Sequence, residues 1–208
     1  MTALSGRKAE AARNDQVILE SARAVFMADP NAPISAVAEH AGVGISALYR
    51  RYKSKDELLQ KLALDGLQRY IAEAEAALAD DGDAWTVFAA FMERCVDGGA
   101  ASLTRRLAGT FTATEQLNQT GYQAYQLTQR VLDRSREAGV LRSDINVTDL
   151  SLIFEQLQSV AVHDAGRTGQ LRRRYLHLML QSMRSPAEAG ELPGPPPEWE
   201  EIRRRYDG

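Results

Sequence analysis

Apolar residues return every three or four positions along almost the whole chain, and no segment alternates apolar with polar between hairpin pairs such as Asn-Gly. That periodicity predicts an all-α fold of about nine helices. The first is expected over 8–28, where Val17, Ile18, Ser21, Ala22, Val25 and Phe26 form one stripe and Asp29-Pro30 stops the helix. Two short helices, near 33–40 and 44–52, flank Ala41-Gly42-Val43, which leaves room only for a tight turn.

Ser54 to Glu57 reads as a capping box opening a long helix that runs to about Ala79, with Leu58, Leu62, Leu67, Ile71, Ala74 and Leu78 on one side. The domain boundary is expected inside it. A fifth helix follows Asp83 and ends at Gly98-Gly99, and a short sixth is expected over 101–108. Thr112 to Glu115 offers another capping box, for a helix reaching Gly139; Asn146 to Asp149 caps one that extends to Gly166; and a ninth is expected near 169–184. Beyond Pro186 the chain is rich in Pro and Gly and reads as an extended tail with a docked turn at Trp199. The division that follows is a small helical domain over 1–60, a larger helical domain over 61–185 and a tail over 186–208.

Composition narrows the function. The N-terminal stretch MTALSGRKAEAARND is polar, and no apolar run approaches the roughly 18 residues of a membrane span, so a cytoplasmic protein is expected. Cys95 is the only cysteine, and His40, His163 and His177 lie at no metal-ligand spacing, so neither a metal nor a cofactor is expected. A net charge of −3 by itself argues against a nucleic-acid partner. Its distribution argues the other way, because residues 1–55 hold eight basic against five acidic residues.

The most informative segment is ISAVAEHAGVGISALYRRYKSKDELL, Ile34 to Leu59. Val37, Ala38 and Ala41 allow close helix packing, and Gly42 suits a turn. Leu48 and Tyr52, four apart, face inward. Ile45, Ser46, Ala47, Tyr49, Arg50 and Arg51 are left on the exposed side or at the N-terminal end, as in a recognition helix entering the major groove. Arg50 and Arg51 also fit a solvated charged face; Arg7, Lys8 and Arg13 read either as a basic tail or as an arm for the minor groove.

Over residues 13–62 this pattern resembles the DNA-binding domain of TetR-family regulators: the Ala-Gly-Val turn, then Leu48-Tyr49, Tyr52, Ser54-Lys55 and Leu58-Leu59 at fixed spacing. The resemblance implies a homodimeric repressor bound to a double-stranded operator and released by a small-molecule effector. It implies that Tyr49 reaches the DNA backbone or a thymine methyl, that Lys55 clamps a phosphate, and that Ser46 and Ala47 face bases. Three departures touch the site: Gly44 stands at the recognition-helix cap where serine is frequent, Ala47 where threonine is frequent, and Pro33-Ile34 where relatives carry threonine, leaving Ser35 as the phosphate contact.

Helices near 146–166 and 169–184 are the candidate dimer interface. Trp85, Phe88, Phe91, Met92, Phe111, Tyr122, Tyr125 and Phe154, with Gln158, are candidates to line an effector cavity, although an aromatic stripe is also ordinary core. Two readings compete with an effector-controlled repressor. One is a DNA-binding protein without a ligand. The other is a helical enzyme built on His163-Asp164 and Arg167, for which no nucleophile or paired carboxylates are present.

Overall fold

The computed structural model describes residues 3–99, 110–185 and 190–203, and every regular element among them is helical. They are α1 (Ala3–Ala28), α2 (Ile34–His40), α3 (Ile45–Arg51), α4 (Lys55–Ala79), α5 (Ala84–Gly98), α6 (Glu115–Glu137), α7 (Val147–Ser159), α8 (Ala165–Met183) and α9 (Trp199–Arg203). The helix expected over 101–108 lies outside the described residues. The chain divides into two compact units, Met1–Ala63 and Leu64–Gly208, and the division falls within α4.

In the N-terminal unit α1 buries Ile18, Leu19, Ser21, Ala22 and Phe26. Val17, expected on that stripe, is 44% exposed and Leu19 takes its place, a small rotation of the apolar face about the helix axis. Two residues flanking α2 set its ends. Pro33 precedes its first turn without a side-chain cap, and Gly42 closes its last turn at φ +66°. There the Val43 N–H donates to the Ala38 carbonyl and the Gly42 N–H to that of Glu39, the paired bonds of a Schellman stop. Leu58, Leu59, Leu62 and Ala63, from the first turns of α4, complete the buried set.

The cap of α4 departs from the expected box. Ser54 Oγ accepts the Glu57 N–H at 3.1 Å, but the Glu57 carboxylate reaches past residue 54 to the N–H of Lys53 at 2.7 Å. The cap of α6 moves as well: Thr114, not Thr112, takes the N–H three residues on, that of Leu117, so the helix begins at Glu115. Gly121 does not interrupt it.

The C-terminal unit is a bundle around Phe88, Phe91, Met92, Leu132, Leu150 and Phe154. Asp83 caps α5 through the Thr86 N–H, and Asn146 with Asp149 forms a complete capping box on α7. α7 stops at Ser159 instead of reaching Gly166, and α8 begins at Ala165, earlier than expected. Asp164 is the cause: its carboxylate caps the Arg167 N–H at 2.6 Å. Arg172 then donates to the carbonyls of Gln158 and Val160, closing the C-terminal end of α7.

Residues 190–203 are docked rather than free. Arg142 pairs with Asp144 and also donates to the Gly190 carbonyl at 2.7 Å, while Asp144 accepts the Leu192 N–H at 2.9 Å. Asn146 Nδ2 donates to the Pro197 carbonyl at 3.1 Å, and the Thr148 hydroxyl lies against the same oxygen. The Trp199 ring packs on Tyr125 with centroids 4.9 Å apart, and Ile202 is buried. The expected turn at Trp199 is one short helix.

Candidate nucleic-acid interface

α3 has seven residues, too few to be stable alone, so its direction is set by what it packs on. Leu48 and Tyr52 are buried and hold it to the rest of the N-terminal unit. On the opposite side Ile45, Ser46, Tyr49 and Arg50 are exposed, with Ala47 half-buried between the two sides. Gly44, exposed at the N-cap, has extended backbone and makes no side-chain cap, and Ser35 is exposed on the first turn of α2. Of the residues expected to meet bases and phosphates, Ser35, Gly44, Ile45, Ser46, Tyr49 and Arg50 are therefore open to solvent.

Two of the expected cations have partners inside the unit. Lys55 is half-buried, its Nζ donating to the Ala32 carbonyl at 2.8 Å and lying 5.2 Å from the centre of the Phe26 ring. Arg51 turns toward α1: its Nε and Nη2 donate to the two carboxylate oxygens of Asp15 at 2.9 and 2.8 Å. The Tyr52 hydroxyl donates to the same carboxylate. These bonds, Arg51 first, hold the Asp15 carboxyl below the usual carboxylate range despite its partial burial. Burial first, and the Asp15 bond second, push the Tyr52 phenol well above its ordinary value. Arg13 is exposed, whereas the side chains of Arg7 and Lys8 lie outside the described residues.

Asp15 enters the sequence reading only as one of the five acidic residues of 1–55. A signal was present: Asp15 stands three and four residues before Ile18 and Leu19, so it continues the buried stripe, where a carboxylate requires a partner. The partner is 36 residues away and no local rule names it.

The candidate effector residues separate into groups. Phe88, Phe91, Met92 and Phe154 are deep in the core, Trp85 is half-buried beneath the Arg184 guanidinium, and Phe111 is half-buried. Tyr122 is 53% exposed and stacks on Tyr125, which itself meets Trp199. Gln158 Nε2 donates to the Val96 carbonyl at 3.2 Å, while its Oε1 is buried without a hydrogen-bond partner among the described residues. Two core polar groups were not foreseen, Tyr70 and Thr128, whose hydroxyls lie 2.8 Å apart. His163, exposed, merely precedes the Asp164 cap and forms no acid–base pair with it.

Among the described residues no helix is long and apolar enough to cross a membrane, and no group of three His, Cys, Asp or Glu is placed to hold a metal ion.

Residues 18–62 match the family model for bacterial regulatory proteins of the tetR family, and residues 83–185 match that for the C-terminal domain of SbtR-like transcriptional regulators. No curated protein sequence matches the chain. Among solved structures, the TetR-like regulator LfrR from Mycobacterium smegmatis in complex with proflavine is similar at 22% identity and a TM-score of 0.62, covering 88% of this chain and 99% of that one. The regulator SCO0520 from Streptomyces coelicolor is similar at 21% identity and 0.61, covering 83% and 99%. A TetR regulatory protein from Mycobacterium vanbaalenii is similar at 24% and 0.60, covering 85% and 98%. With both units matched in order, and an exposed recognition-helix face on the first, the chain belongs to the TetR family of bacterial regulatory proteins and is a DNA-binding transcription regulator, not an enzyme.

Proposed function

We propose that this regulator is a cytoplasmic repressor that binds a pseudo-palindromic operator as a two-fold dimer and is released by a small-molecule effector. The observation that carries the reading is the division of α3 into a buried side, Leu48 and Tyr52, and an exposed side, Ile45, Ser46, Tyr49 and Arg50. Such a helix presents its N-terminal half and outer face to the major groove. Ser46 and Ala47 are too short for bidentate base readout and suit apolar or single hydrogen-bond contacts. In this reading Tyr49 reaches the DNA backbone or a thymine methyl, Gly44 lies at the cap of the helix that enters the groove, and Ser35 contacts a phosphate, as does Lys55, whose ammonium keeps a donor beyond its bond to Ala32.

One recognition helix reads too few bases for specificity, so two copies must be joined. α7 and α8 supply the interface in this reading. Support comes from Leu171, Tyr175 and Leu178 of α8, spaced as a helical stripe, of which Leu178 is 58% exposed. The DNA-binding part is residues 1–60 and the effector and dimer part 61–185.

Effector binding belongs to the bundle lined by Phe88, Phe91, Met92 and Phe154, with Trp85, Phe111, Tyr122 and Tyr125 toward its margins. The unsatisfied Gln158 Oε1 is the polar atom best suited to receive a ligand donor. The relative solved with proflavine supports a small organic effector. A coupling of about 1–3 kcal/mol lowers operator affinity roughly 5- to 150-fold, enough for release.

The test is selection of bound duplexes from a random pool with the full chain. An inverted repeat is expected, bound at two protomers per duplex. A strictly monomeric protein with equal weak affinity for every duplex overturns the proposal.

A further inference from the structure

We propose that Asp15 is a positioning residue for the recognition helix, that Arg51 serves it as a structural fork, and that the phosphate-binding charge at this end of α3 comes from Arg50 and Lys53. The inference rests on the DNA-binding reading above and concerns which of the basic residues meet the duplex.

The two ends of α3 are held differently. Its N-terminal end follows the Gly42–Gly44 turn, whose backbone bonds fix the direction of entry. At its C-terminal end the backbone leaves the helix, since Tyr52 is extended at φ −127° and ψ 113°. What holds that end is the burial of Tyr52 and the three bonds collected by one carboxylate. The fork from Arg51 is bidentate, the geometry in which guanidinium and carboxylate bind most directionally. Tilting α3 at this end moves Tyr49 and Arg50, which sit less than one turn away.

The same bonds take Arg51 out of the set of free cations. The Asp15 side chain is only 15% exposed against 54% for Arg51, so withdrawing Arg51 to a phosphate would strand a carboxylate in a poorly solvated place without its bidentate partner. Arg50 and Lys53 carry no such cost. Both are exposed, and neither side chain has an ion pair or hydrogen bond to any described residue. Lys53 is also held in place through its backbone, because the Glu57 carboxylate accepts its N–H. This fixes the link between α3 and α4 and leaves the ammonium free to point outward to solvent or phosphate.

The experiment measures affinity of the full chain against salt concentration, for the duplex recovered by selection and for a mixed-sequence duplex of the same length. Taking one cation away from a DNA phosphate shallows the slope of log affinity on log salt by about one unit. Arg50→Gln and Lys53→Gln are each expected to do so on both duplexes. Arg51→Gln is expected to leave the slope unchanged and to weaken binding to the selected duplex by about tenfold, the usual scale for removal of a charge-assisted anchor, with little effect on the mixed one.

Asp15→Asn is expected to weaken selected binding too, although removing a negative charge favours DNA in general. Arg51→Lys keeps the charge without the fork, so it should behave as Arg51→Gln does, and it supplies the comparison if the glutamine variant does not fold. The proposal is overturned if Arg51→Gln shallows the slope by a unit while Arg51→Lys restores it, or if Asp15→Asn tightens binding to both duplexes alike. Equal, weak wild-type binding to both duplexes would instead remove the DNA-recognition reading and this proposal with it.

Discussion

The Tyr70 hydroxyl on α4 lies 2.8 Å from Thr128 Oγ1 on α6, and the Thr128 hydroxyl donates its own hydrogen bond to the Ala124 carbonyl at 2.7 Å. Thr128 has one hydroxyl hydrogen, so Tyr70 is the donor in this pair. The Tyr70 ring meets Phe91 and Phe154 edge-on, with centroids 5.8 and 6.3 Å away. One side chain thus contributes a buried hydrogen bond and the centre of an aromatic cluster, and substitution can separate the two. Tyr70→Phe should cost about 1 kcal/mol, since Thr128 keeps its bond to Ala124. Tyr70→Ala should cost about 3–5 kcal/mol, because it also empties the space the ring fills between Phe91 and Phe154. Thermal unfolding followed by circular dichroism reads both; equal destabilisation would mean that the ring contributes nothing beyond its hydroxyl.

Two glycines two residues apart should respond in opposite directions. Gly42 sits at φ +66°, where any Cβ crowds its own backbone, so Gly42→Ala should destabilise the N-terminal unit by about 1–2 kcal/mol even though nothing else is within 4 Å. Gly44 has φ −66° and ψ 139°, ordinary for an N-cap, and an added Cβ meets nothing. Gly44→Ser gives α3 the side-chain acceptor it lacks and narrows the unfolded ensemble, for a gain of about 0.5–1 kcal/mol. Chemical denaturation of the two variants beside wild type decides the signs.

Acid should act through particular carboxylates. Asp15 is held below its ordinary range first by Arg51, and Asp144 well below it first by Arg142 and then by the Leu192 N–H. A depressed folded value means that the unfolded chain takes up protons first. The stability from both groups is therefore intact above about pH 4, the ordinary carboxylate value, and is lost as pH falls toward the folded values. Between about pH 5 and 7 these groups should add no slope. Asp15→Asn should flatten the acid-side slope; an unchanged acid profile would show that the Arg51 bonds do not bear on stability.

On the interface, Tyr49→Ala and Lys55→Ala should weaken binding to every duplex. Lys55→Ala should also shallow the salt dependence by about one unit, because one cation leaves the phosphates. Salt titrations that do not change would remove Lys55 from the interface and leave it the role of bridging to the Ala32 carbonyl.

Local rules carried the helices a long way. The 3.6-residue spacing, Asp29-Pro30, Asp83, Asn146 and Gly139 mark ends that the structure keeps within a few residues. The recognition segment was legible because its turn, its inward pair Leu48 and Tyr52 and its capping serine are close in sequence. What was not legible depends on distant partners. α7 ends at Ser159 because Arg172, one helix further on, closes it, and Arg51 faces α1 because Asp15 waits there. Thr112 and Thr114 offer equally good caps by composition, and only the fold selects between them.

The docking of residues 190–203 sets an order of assembly. Every partner described for the recognition helix lies within residues 1–63, all of them made before the larger unit. The carbonyl that Asn146 and Thr148 await belongs to Pro197, and the ring that covers Tyr125 belongs to Trp199. The larger unit therefore cannot complete this packing before residues 190–203 have been made, and a truncation or insertion that displaces them takes away a working part of it.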